Sequence, residues 1–314
     1  MWAGSSTTNR EACGVIELIV ATVIGLIGQY ASPGHLRADR ATRRPAGAAH
    51  ATRQQAESRF ILVTVTDTGG RSIIDLDPDD FVVRETGESR DVLSIRAADY
   101  PIVLVLDNGP GANRDFDAIR TATRRFIARV GRRPIAIASA SPPRMVATFD
   151  DDRATVIQRV DKLRKGGSGD GLFQAVATAA QAIQKTGTAF SGVVVVAANS
   201  GGTVPAELHT SILDSGANIH AVVVQQKTSA GGGNQARRQS LEMLMALADE
   251  THGQLTTIYA PDAYQLAFDR FANQLAGELI LEYIVPAGSS KGSDVRLGVR
   301  LAGAKIDNWS LSRR

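Results

Sequence analysis

Three hydrophobic rhythms divide this chain of 314 residues. From Pro101 to Ala276, short continuous apolar runs alternate with stretches whose apolar residues recur every three to four positions. The run Ile102–Leu106 (IVLVL) and the run GVVVVAA from Gly192 read as central parallel strands, because a strand covered on both faces has no polar side to alternate with. After Asp107 the spacing predicts a helix with Phe116, Ile119, Phe126, Ile127 and Val130 on one face. DDDRATVIQRVDKLRK predicts a capped helix with Val156, Ile157, Val160 and Leu163 inward. Residues 171–185 predict another, with Leu172, Phe173, Val176, Ala180 and Ile183 inward, and further helices are expected over 205–214, 238–250 and 261–276. IHAVVV and QLTTIY fall between them as strands, and PIAIASA with RMVATFD forms an antiparallel hairpin around Ser141-Pro142-Pro143. Alternation of this kind defines an α/β fold with a doubly wound, mostly parallel sheet, whose ligands are expected at the carboxyl ends of the strands.

The second rhythm flanks the first. FILVTVTD from Phe60, then DLDPDDFVVRE and RDVLSIRA, read as short strands separated by TGGR and Gly87, with no helical period. ELILEYIVP and DVRLGVRLAG return to strands near the end. With no other sheet of the right type to join, they are expected to pair with the 59–98 strands and form a small β-sandwich interrupted by the α/β domain. The third rhythm is the nearly unbroken apolar run of residues 12–31, ACGVIELIVATVIGLIGQYA. About 20 residues at 1.5 Å rise span about 30 Å, enough to cross a bilayer, and Leu18–Gly28 has the length of a signal-peptide core. Gln29 and Tyr30 make a poor cleavage site, so an uncleaved anchor and a removed signal both remain open, with a buried core helix as the bland alternative. Residues 32–58 lack apolar periodicity, are rich in Ala, Arg, Pro and Gly, and read as a flexible linker. The resulting division is 1–31 signal or anchor, 32–58 linker, 59–99 first sandwich part, 100–277 α/β domain and 278–314 second sandwich part.

Charge narrows the function classes. The net charge of +3 resides in the N-terminal arm, since residues 60–314 carry 28 Lys and Arg against 28 Asp and Glu. A balanced body argues against nucleic-acid binding, and aromatic residues make up only 5% of the chain. Arg37, Arg40, Arg43, Arg44 and Arg53 follow the apolar segment while Arg10 alone precedes it; the positive-inside rule would keep the body cytoplasmic, and an exported body is the open alternative. Cys13 is the only cysteine, so neither an intrachain disulfide nor a cysteine zinc cage can form.

Candidate chemistry gathers at IVLVLDNGPGANRDF, a strand that ends on Asp107, then a glycine-rich turn and a helix. A phosphate cradle is disfavoured, because GPGANR is neither GxGxxG nor a P-loop, Pro110 removes an N–H, and Asp107 repels an anion. The passages VTVTDTGGRSIIDLDPDDFVVRETGESRDVLSI leading into PIVLVLDNGPG, GGSGDGLFQAVATAAQAI, VVVVAANSGG and LEYIVPAGSSKGSDVRLGVRL together resemble the von Willebrand factor A-type domain of bacterial proteins in which it sits between β segments. The resemblance covers residues 60–310. It implies a divalent ion held by an aspartate and two serines of a D-x-S-x-S loop, a threonine, a further aspartate and a partner's acidic group. Asp107 holds the first position, but Gly109 and Gly111 replace the serines, Asp170 the threonine, and Asn199-Ser200 the last aspartate. Mg²⁺ wants six oxygens at about 2.0–2.1 Å. A degenerate site with no bound metal is therefore expected, with backbone N–H groups holding Asp107 and glycines shaping the turn; a weak Mg²⁺ or Mn²⁺ site on Asp107 and Asp170 is the residual alternative.

No other chemistry converges. His35, His50, His209, His220 and His252 show no metal spacing, NSGG lacks the first glycine of a nucleophile elbow, and Asp150, Asp151 and Asp152 open a helix as caps. Arg237 and Arg238, beyond a glycine-rich loop, are a candidate contact for an acidic partner. The resemblance implies a non-enzymatic protein- or peptide-binding module of the bacterial cell envelope, exported or anchored by its N-terminal segment and needing no cofactor. The expected partner-binding face carries Asp107, Asn108, Asn113, Asp170, Asn199 and Ser200. The alternatives are a nucleotide- or metal-using enzyme with its site at the strand ends, and a purely structural envelope subunit.

Overall fold

The computed structural model describes residues 56–166, 171–198, 205–225, 234–289 and 294–312. The apolar segment 12–31, the arm that follows it, Asp170, Asn199 and Ser200 lie outside the described residues. Among the described residues no helix is long and apolar enough to cross a membrane.

The central sheet has six strands: β5 (Ile102–Leu106), β6 (Ile135–Ala140), β7 (Pro143–Ala147), β8 (Gly192–Ala197), β9 (Asn218–Val224) and β10 (Leu255–Ile258). Their order is β10-β9-β8-β5-β6-β7, parallel throughout except for β7, which turns back on β6 as the hairpin expected around Ser141-Pro142-Pro143. Helices α1 (Phe116–Arg129), α2 (Arg153–Lys162) and α6 (Ala263–Ala276) supply the apolar layer on one face, built on Phe116, Phe126, Val156, Val160, Phe268 and Phe271. Helices α3 (Leu172–Gln184), α4 (Ala206–Asp214) and α5 (Asn234–Glu250) cover the other, through Phe173, Val176, Ile183, Ile212, Leu244 and Leu247. All five residues of β5 are fully buried, which is why its run has no polar alternation. Asp152 caps α2, its Oδ1 accepting from Thr155 N at 2.6 Å. Asp151 does something else: it accepts from Thr148 N and pairs with Arg159 at 2.6 Å.

Two smaller sheets flank this body. One has the order β13-β1-β11-β4, from β1 (Ala56–Thr66), β4 (Val92–Ala97), β11 (Glu278–Pro286) and β13 (Lys305–Leu311); the other has the order β12-β2-β3, from β2 (Phe81–Glu85), β3 (Glu88–Arg90) and β12 (Val295–Val299). Strands from the two chain segments therefore pair with each other, Phe60 opposite Glu282 and Val83 opposite Leu297. Ile61, Val63, Val65, Phe81, Val83, Leu281 and Tyr283, drawn from both small sheets, share one apolar cluster. Leu62 and Ile280 point the other way, into the α1–α6 layer.

Three expectations change here. DLDPDDFVVRE is not one strand, because Pro78 removes an N–H and Pro78–Asp80 forms a single 3₁₀ turn before β2. RDVLSIRA splits at Asp91, β3 pairing with β2 and β4 with β11. β13 has no counterpart in the sequence reading: KIDNWSL is mostly exposed and polar, as an edge strand can be.

Candidate functional site

In an open α/β sheet the ligand crevice lies where neighbouring strands send their helices to opposite faces. Here that point is between β5 and β8, since α1 follows β5 on one face and α4 follows β8 on the other. The residues leaving those strands are Asp107 and Ala198. Asp107 is fully buried; its Oδ1 accepts from Gly109 N at 3.1 Å and its Oδ2 from Ala198 N at 3.0 Å. Its carboxylate thus stitches the first turn to the end of the neighbouring strand.

Asn108 is buried as well, 1% exposed, and it braces three loops. Its Nδ2 donates to Ser141 O at 2.6 Å and Arg164 O at 3.1 Å, its Oδ1 accepts from Ser141 N at 2.8 Å, and its backbone carbonyl accepts from Gly166 N at 3.1 Å. Of the described residues expected on the partner face, Asn113 alone is exposed; Asp107 and Asn108 lie beneath the face and hold its loops. Gly109 has φ −73° and ψ 179°, an extended conformation open to any residue, and Gly111 has no positive φ either. Backbone strain therefore does not require glycine at these positions. Gly171 is different, because a Cβ there would lie 2.3 Å from Ala140 O and from Pro143 Cγ. The start of α3 packs directly on the hairpin, and only glycine fits.

Among the described residues this turn offers an ion one carboxylate, Asp107, while Asp170, Asn199 and Ser200 lie outside them. A six-oxygen shell needs carboxylate and hydroxyl lone pairs facing one point. Both Asp107 oxygens accept from backbone amides, and positions 109 and 111 carry no side-chain oxygen. Among the described residues no group of three or more His, Cys, Asp or Glu could hold a metal.

Two residues that sequence reasoning passed over lie behind the turn. Asp115 precedes α1 in the cap position but does not cap it; it is 1% exposed and neither carboxylate oxygen has a hydrogen-bond partner. Burial raises its pKa, with Arg114 opposing. The Tyr264 hydroxyl is also buried and unpartnered, and burial, with the nearby Asp115 and Asp107 carboxyls, raises its pKa strongly. An aspartate just before a helix reads as a cap in any sequence, so nothing in the chain flags this one.

At the opposite, amino end of the sheet is a second buried polar group. Tyr100 Oη donates to Glu278 Oε2 at 2.6 Å, and Arg133 Nη2 donates to the same oxygen at 3.2 Å. Arg133 also donates to Leu275 O, and its guanidinium lies 4.2 Å from the centre of the Tyr100 ring. Burial pushes the Glu278 carboxyl up to about 7, against Arg133 and Tyr100, which lower it. An apolar cleft of about 410 Å³ adjoins it, lined by Phe60, Tyr100, Phe149, Phe190 and Ile280 among others. At neither end do a nucleophile, a base and an oxyanion donor converge among the described residues.

The strand order and helices on both faces define a doubly wound α/β protein. Within that class, the antiparallel edge hairpin and the aspartate ending the first central strand are features that the resemblance to the von Willebrand factor A-type domain implies. No family model matches the sequence, and no curated protein matches it. Solved structures similar in fold include von Willebrand factor type A from Catenulispora acidiphila, at 13% identity and TM-score 0.46 over 83% of this chain and 74% of that one. An aerotolerance-related membrane protein from Bacteroides fragilis is similar at 13% identity and TM-score 0.43, over 55% of this chain and 98% of that one. The vWF domain of the type V pili tip protein Mfa5 from Porphyromonas gingivalis is similar at 11% identity and TM-score 0.43, over 56% of this chain and 95% of that one.

Proposed function

We propose that this chain is a non-enzymatic protein- or peptide-binding module of the bacterial cell envelope. Its ligand sits on the strand-end face formed by the loops near 107–114, 166–171 and 199–204, without a shared cation. The two small sheets form a sandwich that carries the α/β domain, and the N-terminal segment tethers or exports the whole. One observation carries this reading. At the switch point, where an α/β protein binds its ligand, the acidic side chain is engaged by two backbone amides. What a partner meets beside it is loop surface that Asn108 braces at Ser141 and Arg164.

The test is selection of a displayed peptide library on the full chain, followed by Asn113→Trp, which places bulk on an exposed position of the face. Selected peptides should lose at least about tenfold in affinity, the loss expected when a contact worth about 1.4 kcal/mol is blocked. Chelator should leave their binding unchanged. Peptides that bind the variant equally well, or that need Mg²⁺ or Mn²⁺, overturn the proposal.

A further inference from the structure

Residues 60–314 carry equal numbers of positive and negative side chains, but not evenly. Residues 108–165 hold 13 Lys and Arg against 6 Asp and Glu, leaving 15 against 22 for the remainder. This basic stretch is α1, β6, β7, α2 and their loops. α1 and α2 cover the same sheet face, and the Arg124–Asp161 pair at 3.4 Å ties their outer surfaces together.

Most acids of this seam already have partners, while Asp150 is exposed and Asp152 caps α2. Asp117 accepts from Arg120 at 2.8 Å and from Lys165 at 3.2 Å. Asp161 has Arg124, Asp151 has Arg159, and Asp269 of α6 lies between Arg125 and Arg129. Asp115 is buried beneath. Left over at the upper end of the seam are Arg114, Lys162 and Arg164, all exposed and without an ion pair among the described residues. They adjoin the strand-end face, because the Arg164 carbonyl is held by Asn108.

We propose that the α1–α2 shoulder docks an acidic polypeptide segment, with Arg114, Arg120, Arg124, Lys162, Arg164 and Lys165 supplying the cations that meet its carboxylates. The inference rests on the reading above only in taking polypeptide as the ligand; the charge excess stands without it. Eleven of the 13 cations are arginine, whose planar fork matches a carboxylate with two parallel hydrogen bonds. Stacked single-stranded bases would call for aromatic platforms beside the cations, and an inserted membrane contact for exposed apolar side chains. Among the described residues the large exposed hydrophobics are Ile74, Leu93, Met245, Tyr259, Leu266, Leu301 and Trp309, and none lies within 108–165.

The experiment is fluorescence anisotropy of a labelled polyglutamate peptide against the full chain. Binding should weaken at least about tenfold between 50 mM and 500 mM salt, roughly the range over which screening shortens charge interactions to a few ångströms. The triple variant Arg114→Glu, Lys162→Glu, Arg164→Glu should lose at least about tenfold in affinity while still unfolding in one cooperative transition, because none of these side chains makes an ion pair among the described residues. Arg296→Glu, on β12, is the control and should bind as the parent does. Because the variant keeps the arginine-rich N-terminal arm, polyglutamate binding retained by it overturns the inference, as does no binding at all. Stronger shoulder-dependent binding of an oligonucleotide or of phosphatidylglycerol vesicles also overturns it. Each of these outcomes leaves the strand-end proposal standing, since library-selected peptides would still bind in 500 mM salt and still respond to Asn113→Trp.

Discussion

The two ends of the central sheet each bury an acidic side chain, and they hold it by different means. At the carboxyl end, Asp107 is held by backbone amides from its own turn and from the neighbouring strand. At the amino end, Glu278 is held by the side chains of Tyr100 and Arg133. A carboxylate answered by backbone is fixed once the fold forms. One answered by side chains in a buried setting can lose its partner by a single substitution, and burial pushes this carboxyl up to about 7. The carboxyl end is built to keep its loops in one shape, and the amino end to lock the chain where it passes between the body and the small sheets.

Arg133→Met should give the largest effect on this contrast. It strands the Glu278 carboxyl in a buried site, which costs about 3–5 kcal/mol when one partner of a buried pair is removed. Urea unfolding measures it, and a loss below about 1 kcal/mol would show that the pair contributes little. Asp107→Ala comes next. It leaves the amides of Gly109 and Ala198 without that acceptor, a cost of about 2–4 kcal/mol at the usual penalty per unsatisfied group. Asp107→Asn should lose less, since one acceptor remains.

Smaller, and with opposite signs, are two pH effects. His220 is buried with neither ring nitrogen hydrogen-bonded, and burial lowers its pKa to about 4. Its folded pKa lies below its unfolded value of 6.5, so the unfolded chain takes up the proton first. Stability from this group is complete above pH 6.5 and falls by roughly 3 kcal/mol as pH drops to 4. Glu278 runs the other way. Its folded pKa of about 7 lies above its unfolded 4.5, so its contribution is complete below 4.5 and is lost as pH rises through 7. The parent should therefore show a shallow profile between pH 4.5 and 6.5. Glu278→Gln should unmask stability rising with pH, and His220→Phe stability falling with pH, in denaturant titrations at each pH. The smallest effects belong to Asp115→Asn and Tyr264→Phe, which remove or neutralise groups with no hydrogen bond to lose. Both should stay within about 1 kcal/mol of the parent, and a larger loss by calorimetry would reveal a hidden partner.

Much of the body was legible because burial on both faces writes itself into sequence. Ile102–Leu106 and the run at 192–197 could be nothing but central strands, and the apolar spacings of α1, α2 and α3 match their buried faces. The Ser141-Pro142-Pro143 corner fixed the hairpin. β13 was not legible, because an edge strand with one neighbour needs few apolar residues. At the site, Asp107 stood out by its place at a strand end, but its neighbour Asn108 looked like a surface residue. Nothing local distinguishes an asparagine that faces solvent from one that bonds two distant carbonyls. Asp115 and Tyr264 are 149 positions apart, and their proximity exists only in the folded chain. Net charge misled in a related way: equal totals over the body concealed an uneven distribution that only the placement of α1 beside α2 makes visible.

Strand β4 ends at Ala97, β11 begins at Glu278, and the two are antiparallel neighbours with Ala97 opposite Leu279 and Ala98 N bonded to Glu278 O. In topological terms the whole α/β body is the loop of one β-hairpin. The entropy cost of closing a long loop grows only with the logarithm of its length. Evolution, or a protein engineer, can therefore exchange the body for another as a cassette, provided the newcomer covers Leu62 and Ile280 and answers Glu278.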